Sequence, residues 1–133
     1  MGRRRLSFLV AVTAVVGALA GCASDTQRQQ VQAVAVEFVT AVQDKDGQDA
    51  CSLLTPEAED SVSGATDTPC SAAVLNVEEQ GAQVRHVQVW GDDAQVKLGS
   101  DTVFLSRLPA GWQVRAAGCR PQPGAAYRCD VKG

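Results

Sequence analysis

Four cysteines, Cys51, Cys70, Cys119 and Cys129, restrict this chain more than any other feature of its sequence. Whether they are thiols, metal ligands or disulfides depends on the compartment, and the N-terminal segment bears on that. Arg3, Arg4 and Arg5 precede an uncharged, mostly apolar stretch from Leu6 to Ala20. The stretch has the length of an export signal's apolar region and falls short of the ~20 residues that a spanning helix needs. An exported chain meets an oxidising compartment, where an even number of cysteines in a small domain reads as a disulfide framework. Four cysteines allow three pairings. The pairing Cys51–Cys70 with Cys119–Cys129 is favoured because each pair brackets a local segment. Each closure would contribute about 2–4 kcal/mol by restricting the unfolded chain. Zinc is the weaker alternative, because the chain has no C-x-x-C pair and a single histidine. No metal and no cofactor are expected.

The apolar stretch ends in Leu19-Ala20-Gly21-Cys22. This resembles the bacterial lipobox, in which small residues precede a cysteine. The resemblance implies cleavage between Gly21 and Cys22 and lipid attachment to the Cys22 thiol. It also implies a lipid-anchored position at the extracytoplasmic face of the cell membrane. A plain secretory signal or a short membrane anchor are the alternatives, and neither needs a cysteine at that place. One acyl chain holds a protein to a bilayer only marginally, whereas two or more hold it firmly. The expected organisation is a signal peptide over residues 1–21, a lipidated cysteine with a short tether over 22–27, and one domain over 28–133. Ala23 to Gln27 reach about 17 Å when extended, so the domain should sit close to the membrane.

Without its leader the chain has 133 − 21 = 112 residues, enough for one domain. It then carries 12 − 3 = 9 basic and 15 acidic residues, a formal charge of −6. No basic run survives, so nucleic acid is not an expected partner.

Val31, Val34, Ala35, Phe38, Val39 and Val42 recur at helical spacing and predict a helix over about Thr26–Asp44, with Asp25 as its N-cap. A short helix over Gln48–Leu54 should follow. Thr55-Pro56-Glu57 has the chemistry of a helix start, with Thr as cap and Pro at the first position. Ser61–Asp67 reads as a loop, and Thr68-Pro69 as the start of another short helix to about Asn76. Beyond Gly81 the pattern turns extended. Strands are predicted over Ala82–Trp90, Ala94–Leu98, Thr102–Leu108 and Trp112–Ala117, joined by turns at Gly91-Asp92-Asp93, Gly99-Ser100-Asp101 and Leu108–Gly111. Short loops make such strands antiparallel neighbours. Arg120–Arg128, with Pro121, Pro123 and Gly124, reads as a loop pinned by the second disulfide. Asp130–Gly133 adds a little edge strand.

The expected fold is therefore α+β: N-terminal helices packed on a curved antiparallel sheet of about four strands, with two disulfides. In this order of elements the chain resembles the nuclear transport factor 2-like superfamily, in particular its small bacterial lipoproteins. The residues that carry the resemblance are Asp49-Ala50-Cys51-Ser52-Leu53-Leu54-Thr55, Gly111 to Cys119, and Tyr127-Arg128-Cys129. The resemblance implies a cone-shaped domain. It does not fix a function, because the superfamily includes enzymes, ligand binders and interaction modules.

His86 is the only histidine. Alternation places it with Val84, Gln88 and Trp90 on one strand face, and Arg85, Val87 and Val89 on the other. On a pocket face it would serve as a general base oriented by a carboxylate such as Asp101. The plainer expectation is a strand histidine facing solvent or lying under a helix. No second catalytic residue is identifiable by spacing, and there is no G-x-S-x-G elbow or glycine-rich phosphate loop. Glu78-Glu79 and Asp92-Asp93 are expected as solvated surface acids. Trp90 and Trp112 are expected as core or cross-strand packing, with a ligand pocket shared with His86 as the alternative. Tyr127 and Arg128, in a loop closed by a disulfide, are candidates for partner contact, although Tyr127 also suits a cap on the end of the sheet. The expected function is a membrane-anchored, non-enzymatic interaction or accessory module, meeting an envelope protein. The alternatives are a small-molecule binder using a helix–sheet cavity, and an enzyme built on His86.

Overall fold

The structure is a computed structural model that describes residues 24–78 and 81–133. The expected export signal, with its expected cleavage point at Gly21 and lipidation point at Cys22, lies outside the described residues, as does Glu79.

Helix α1 spans Asp25–Gln43. Its cap is Ser24 rather than Asp25. The Ser24 hydroxyl accepts the Gln27 backbone N–H at 3.2 Å, and Gln27 Oε1 accepts the Ser24 N–H at 3.3 Å. This reciprocal capping box satisfies two amides that the helix cannot. Asp25 instead occupies the first turn, where its charge suits the helix dipole and pairs with Arg28 at 3.4 Å. Residues 24–27, expected within the tether, form the cap and first turn of α1. Val31, Ala35, Phe38, Val39 and Val42 form the buried stripe.

Helix α2, Gly47–Ser52, packs on α4, Cys70–Ala73, and the Cys51–Cys70 disulfide joins them. Gly47 is required there, because a Cβ at that position would overlap the Ser71 carbonyl. Helix α3, Pro56–Thr66, is capped by Thr55, whose hydroxyl accepts the Ala58 N–H at 3.2 Å. It runs through most of Ser61–Asp67, which the sequence marks as a loop. Ala58 and Val62, one turn apart, are both buried. That burial outweighs the weak helix preference of Ser61, Ser63 and Gly64, and the helix ends where Asp67 turns left-handed. A 3₁₀ turn, Val74–Asn76, follows α4.

The strands are β1 Val84–Trp90, β2 Asp93–Leu98, β3 Asp101–Leu108, β4 Gly111–Gln122, β5 Ala125–Arg128 and β6 Val131–Lys132. All pair antiparallel in the order β1-β2-β3-β4-β5, with β6 also on β4. The sheet thus has six strands where the sequence suggests about four. The difference lies in Arg120–Arg128. This segment is a hairpin rather than a loop: β4 runs on to Gln122, Gly124 supplies a turn at φ 67°, and the chain returns along β4. The Cys119–Cys129 disulfide joins the two arms.

The fold is α+β in two layers. Val87, Val89, Ala94, Val96, Leu98, Val103, Leu105 and Val114 make the inner face of the sheet against α1 and its neighbouring helices. A short parallel bridge fixes the layers to each other: Thr55 donates to the Val114 carbonyl at 2.9 Å, and Val114 donates to Leu53 at 2.8 Å.

Candidate functional site

The register of β1 decides which residues meet. Val84 pairs with Leu98 and His86 with Lys97, leaving Arg85 as the extra residue of a bulge. A bulge lets side chains on either side of it share a face that strict alternation would separate. Val84, Val87 and Val89 therefore all pack against the core, while His86, Gln88 and Trp90 are exposed. The expected grouping of Val84 with His86 is overturned by this one residue.

The three candidate pocket residues are not brought together. His86 and Trp90 lie on the outer face of the sheet. Trp112, paired with Arg107 across the β3–β4 hairpin, is buried at 7% exposure. Asp101, proposed to orient His86, is 1% exposed and has an oxygen 3.8 Å from the Arg120 guanidinium. In register it opposes Leu98, whereas His86 opposes Lys97.

The outer face consists of three rows that the pairing defines. Trp90, Asp93, Ser106 and Gln113 form the first; Gln88, Gln95, Phe104 and Ala116 the second; His86, Lys97, Thr102 and Cys119 the third. In the first row Ser106 donates to Asp93 at 3.2 Å, and Arg115 lies 3.8 Å from the same carboxylate. In the second, the Tyr127 ring meets Phe104 edge-to-face with centroids 5.1 Å apart, and the Gln95 amide donates to the Tyr127 hydroxyl at 3.4 Å. Tyr127 is half-buried by these contacts, whereas Arg128 is exposed. Sequence reasoning missed the Phe104–Tyr127 contact because it takes the return of the tail hairpin to create it.

A second cluster closes the opposite end of the sheet. Arg120 lies 2.9 Å from Glu78, 3.4 Å from Asp130 and 3.8 Å from Asp101. Asp130 also accepts the Glu78 backbone N–H at 3.3 Å. Glu78, expected as a merely solvated acid, thus helps tie the exit of the helices to the return strand. Asp92 is likewise engaged, by Arg107 at 2.7 Å.

Among several surface hollows, two border residues named above. One, of about 390 Å³, is lined by Gln30, Ala33, Val34, Ala110, Gly111 and Trp112. The Arg107 guanidinium carbon lies 5.5 Å from the Trp112 ring centroid, and the buried indole N–H has no hydrogen-bond partner among the described residues. The other, of about 310 Å³, lies between α3, the 3₁₀ turn and the return strand, with Val62, Val77, Cys129 and Asp130 on its walls.

Among the described residues there is no group of three or more potential metal ligands, and no helix is long and apolar enough to cross a membrane. No protein-family model, curated protein or solved structure matches the chain.

Proposed function

We propose that this chain is a lipid-anchored extracytoplasmic lipoprotein whose domain is a non-enzymatic interaction or accessory module. One observation carries the proposal: the helices cover one face of the sheet and leave the other open. That open face holds the exposed His86, Gln88 and Lys97, and its border holds Arg128. An uncovered sheet face with exposed hydrogen-bonding and cationic side chains suits recognition of a partner's surface. The lipobox-like Leu19-Ala20-Gly21-Cys22 supplies the membrane attachment, and the resemblance to small nuclear transport factor 2-like lipoproteins agrees with it.

The test uses the whole chain in a bacterial host. Labelled fatty acid should enter the protein and hold it in the membrane fraction, and Cys22→Ala should abolish both. A photo-cross-linking residue at Gln95 or Gln113 should give a discrete adduct in intact cells, and one at Glu57 on the helical layer should not. The adduct should survive His86→Ala. Equal adducts from both layers, or none from the sheet, would sink the module proposal.

The hollow lined by Trp112 favours a second reading, a small-molecule binder. Its volume of about 390 Å³ falls within the roughly 300–1,000 Å³ of ligand sites, and it has one buried donor on its wall. A ligand seated there would raise the thermal midpoint by mass action, and Trp112→Phe would reduce the rise.

A further inference from the structure

We infer that the domain stands end-on against a lipid surface, with Trp90 in the headgroup layer. The inference rests on the lipid tether proposed above and adds which end of the fold faces the bilayer.

Trp90 is the large hydrophobic side chain left exposed among the described residues, at 49%. An indole has an apolar body and a polar N–H, and tryptophan is enriched at membrane–water interfaces for that reason. Its place in the fold follows from a chain of contacts. Gln30, Ala33 and Val34, in the N-terminal half of α1, share a hollow with Ala110, Gly111 and Trp112 of the β3–β4 turn. Arg107 lies over Trp112 and reaches Asp92 in the β1–β2 turn, through its backbone N–H at 2.7 Å and its guanidinium at 2.7 and 2.9 Å. Asp92 is separated from Trp90 by Gly91 alone. The start of α1, both hairpin turns and Trp90 therefore belong to one end of the domain.

Covalent geometry places that end at the anchor. Ser24 already caps α1, so Ala23 alone separates it from Cys22. Two residue steps span about 7 Å at most. A lipid on Cys22 therefore keeps the start of α1, and with it this end of the domain, next to the surface.

Charge agrees. At this end three arginines face three aspartates: Arg28 with Asp25 at 3.4 Å, Arg107 with Asp92 at 2.7 Å, and Arg115 with Asp93 at 3.8 Å. They cancel. An anionic leaflet repels uncompensated acidic charge within roughly a Debye length of about 8–10 Å, and here each of the three aspartates has an arginine beside it.

The experiment uses the full chain, purified from a bacterial host and reconstituted into phosphatidylglycerol-containing vesicles. Acyl chains brominated near the headgroup serve as quencher, with unbrominated vesicles as reference. Wild type minus Trp90→Phe isolates the Trp90 emission and leaves the buried Trp112 untouched. Intact mass reads the state of Cys22 in the same sample. The expected result is lipid on Cys22, with Trp90 emission shifted to shorter wavelength and quenched by bromine. Lipid on Cys22 with a Trp90 signal equal in both vesicles overturns the orientation and spares the tether. Absence of lipid on Cys22 overturns the tether and the orientation together. Should Trp90→Phe fail to fold, acrylamide quenching of the wild type decides: vesicles shield Trp90 if the inference holds, and leave it open to quencher if it does not.

Discussion

The helical layer and the sheet bury each other, yet they present opposite characters to solvent. Residues 24–78 hold 2 basic and 10 acidic residues, a balance of −8. Residues 81–133 hold 7 basic and 4 acidic, a balance of +3. A total of −6 for the chain after Gly21 hides this division. The helices have evident structural work: side-chain caps at Ser24, Asp46 and Thr55, the Cys51–Cys70 link, and the apolar stripe that fills the core. The sheet does the same work with its inner face only. Its outer face has no covering layer, and Tyr127 from the tail hairpin is what packs there. The comparison teaches that the surface unexplained by folding is on the sheet side.

Six variants would break or sharpen that contrast. The largest effect is expected from Phe38→Ala, which removes a fully buried ring from α1 and should cost about 3–5 kcal/mol in urea unfolding. Phe104→Ala on the outer face, by contrast, should cost about 1–2 kcal/mol, because that ring is half-exposed and its edge-to-face contact is worth about 0.5–1.5. Equal losses would mean that the outer face is as structural as the inner one. Next come the disulfides. Replacing Cys51 and Cys70 by serine opens a loop of sequence separation 19, and replacing Cys119 and Cys129 one of separation 10. On loop entropy the first should cost about 3 kcal/mol and the second about 0.5 less. A markedly greater loss at Cys119–Cys129 would show that the tail hairpin supports the sheet beyond closing a loop. Ser24→Ala should remove about 1 kcal/mol by deleting half of the capping box, read as a lower thermal midpoint. Trp90→Ala should be smallest, within about 0.5 kcal/mol, as expected of an exposed residue with no structural task.

Much of this fold was legible from periodicity and turn chemistry. The stripe of α1, the Thr55-Pro56 helix start and the alternation of Ala94, Val96 and Leu98 carry their structure locally, and both disulfides join segments that lie close in sequence. The features that escaped depend on contacts between distant residues. Ser61, Ser63 and Gly64 are poor helix formers, and only burial of Ala58 and Val62 explains why α3 continues through them. Arg120–Arg128 looks like a loop because its prolines mark turns, yet the free edge of β4 gives the returning chain hydrogen-bond partners. The candidate site suffered most. A single bulged residue, Arg85, separates His86 from the face assigned to Val84, and no local pattern announces a bulge within a run of strand-forming residues.

One edge of β4 has consequences for when the domain folds. Along that edge three separate segments lie in succession: Leu54 at Val114, β6 at Ala116 and Ala117, and β5 from Arg120 to Gln122. A chain delivered from its N-terminal end presents Leu54 first, then β4, and Val131 last. Until Val131 arrives, the middle of that edge lacks its antiparallel partner, and long-range pairing of this kind is slow to form. The middle of the β4 edge would thus be the last part of the sheet to be completed, whatever the helices have already formed.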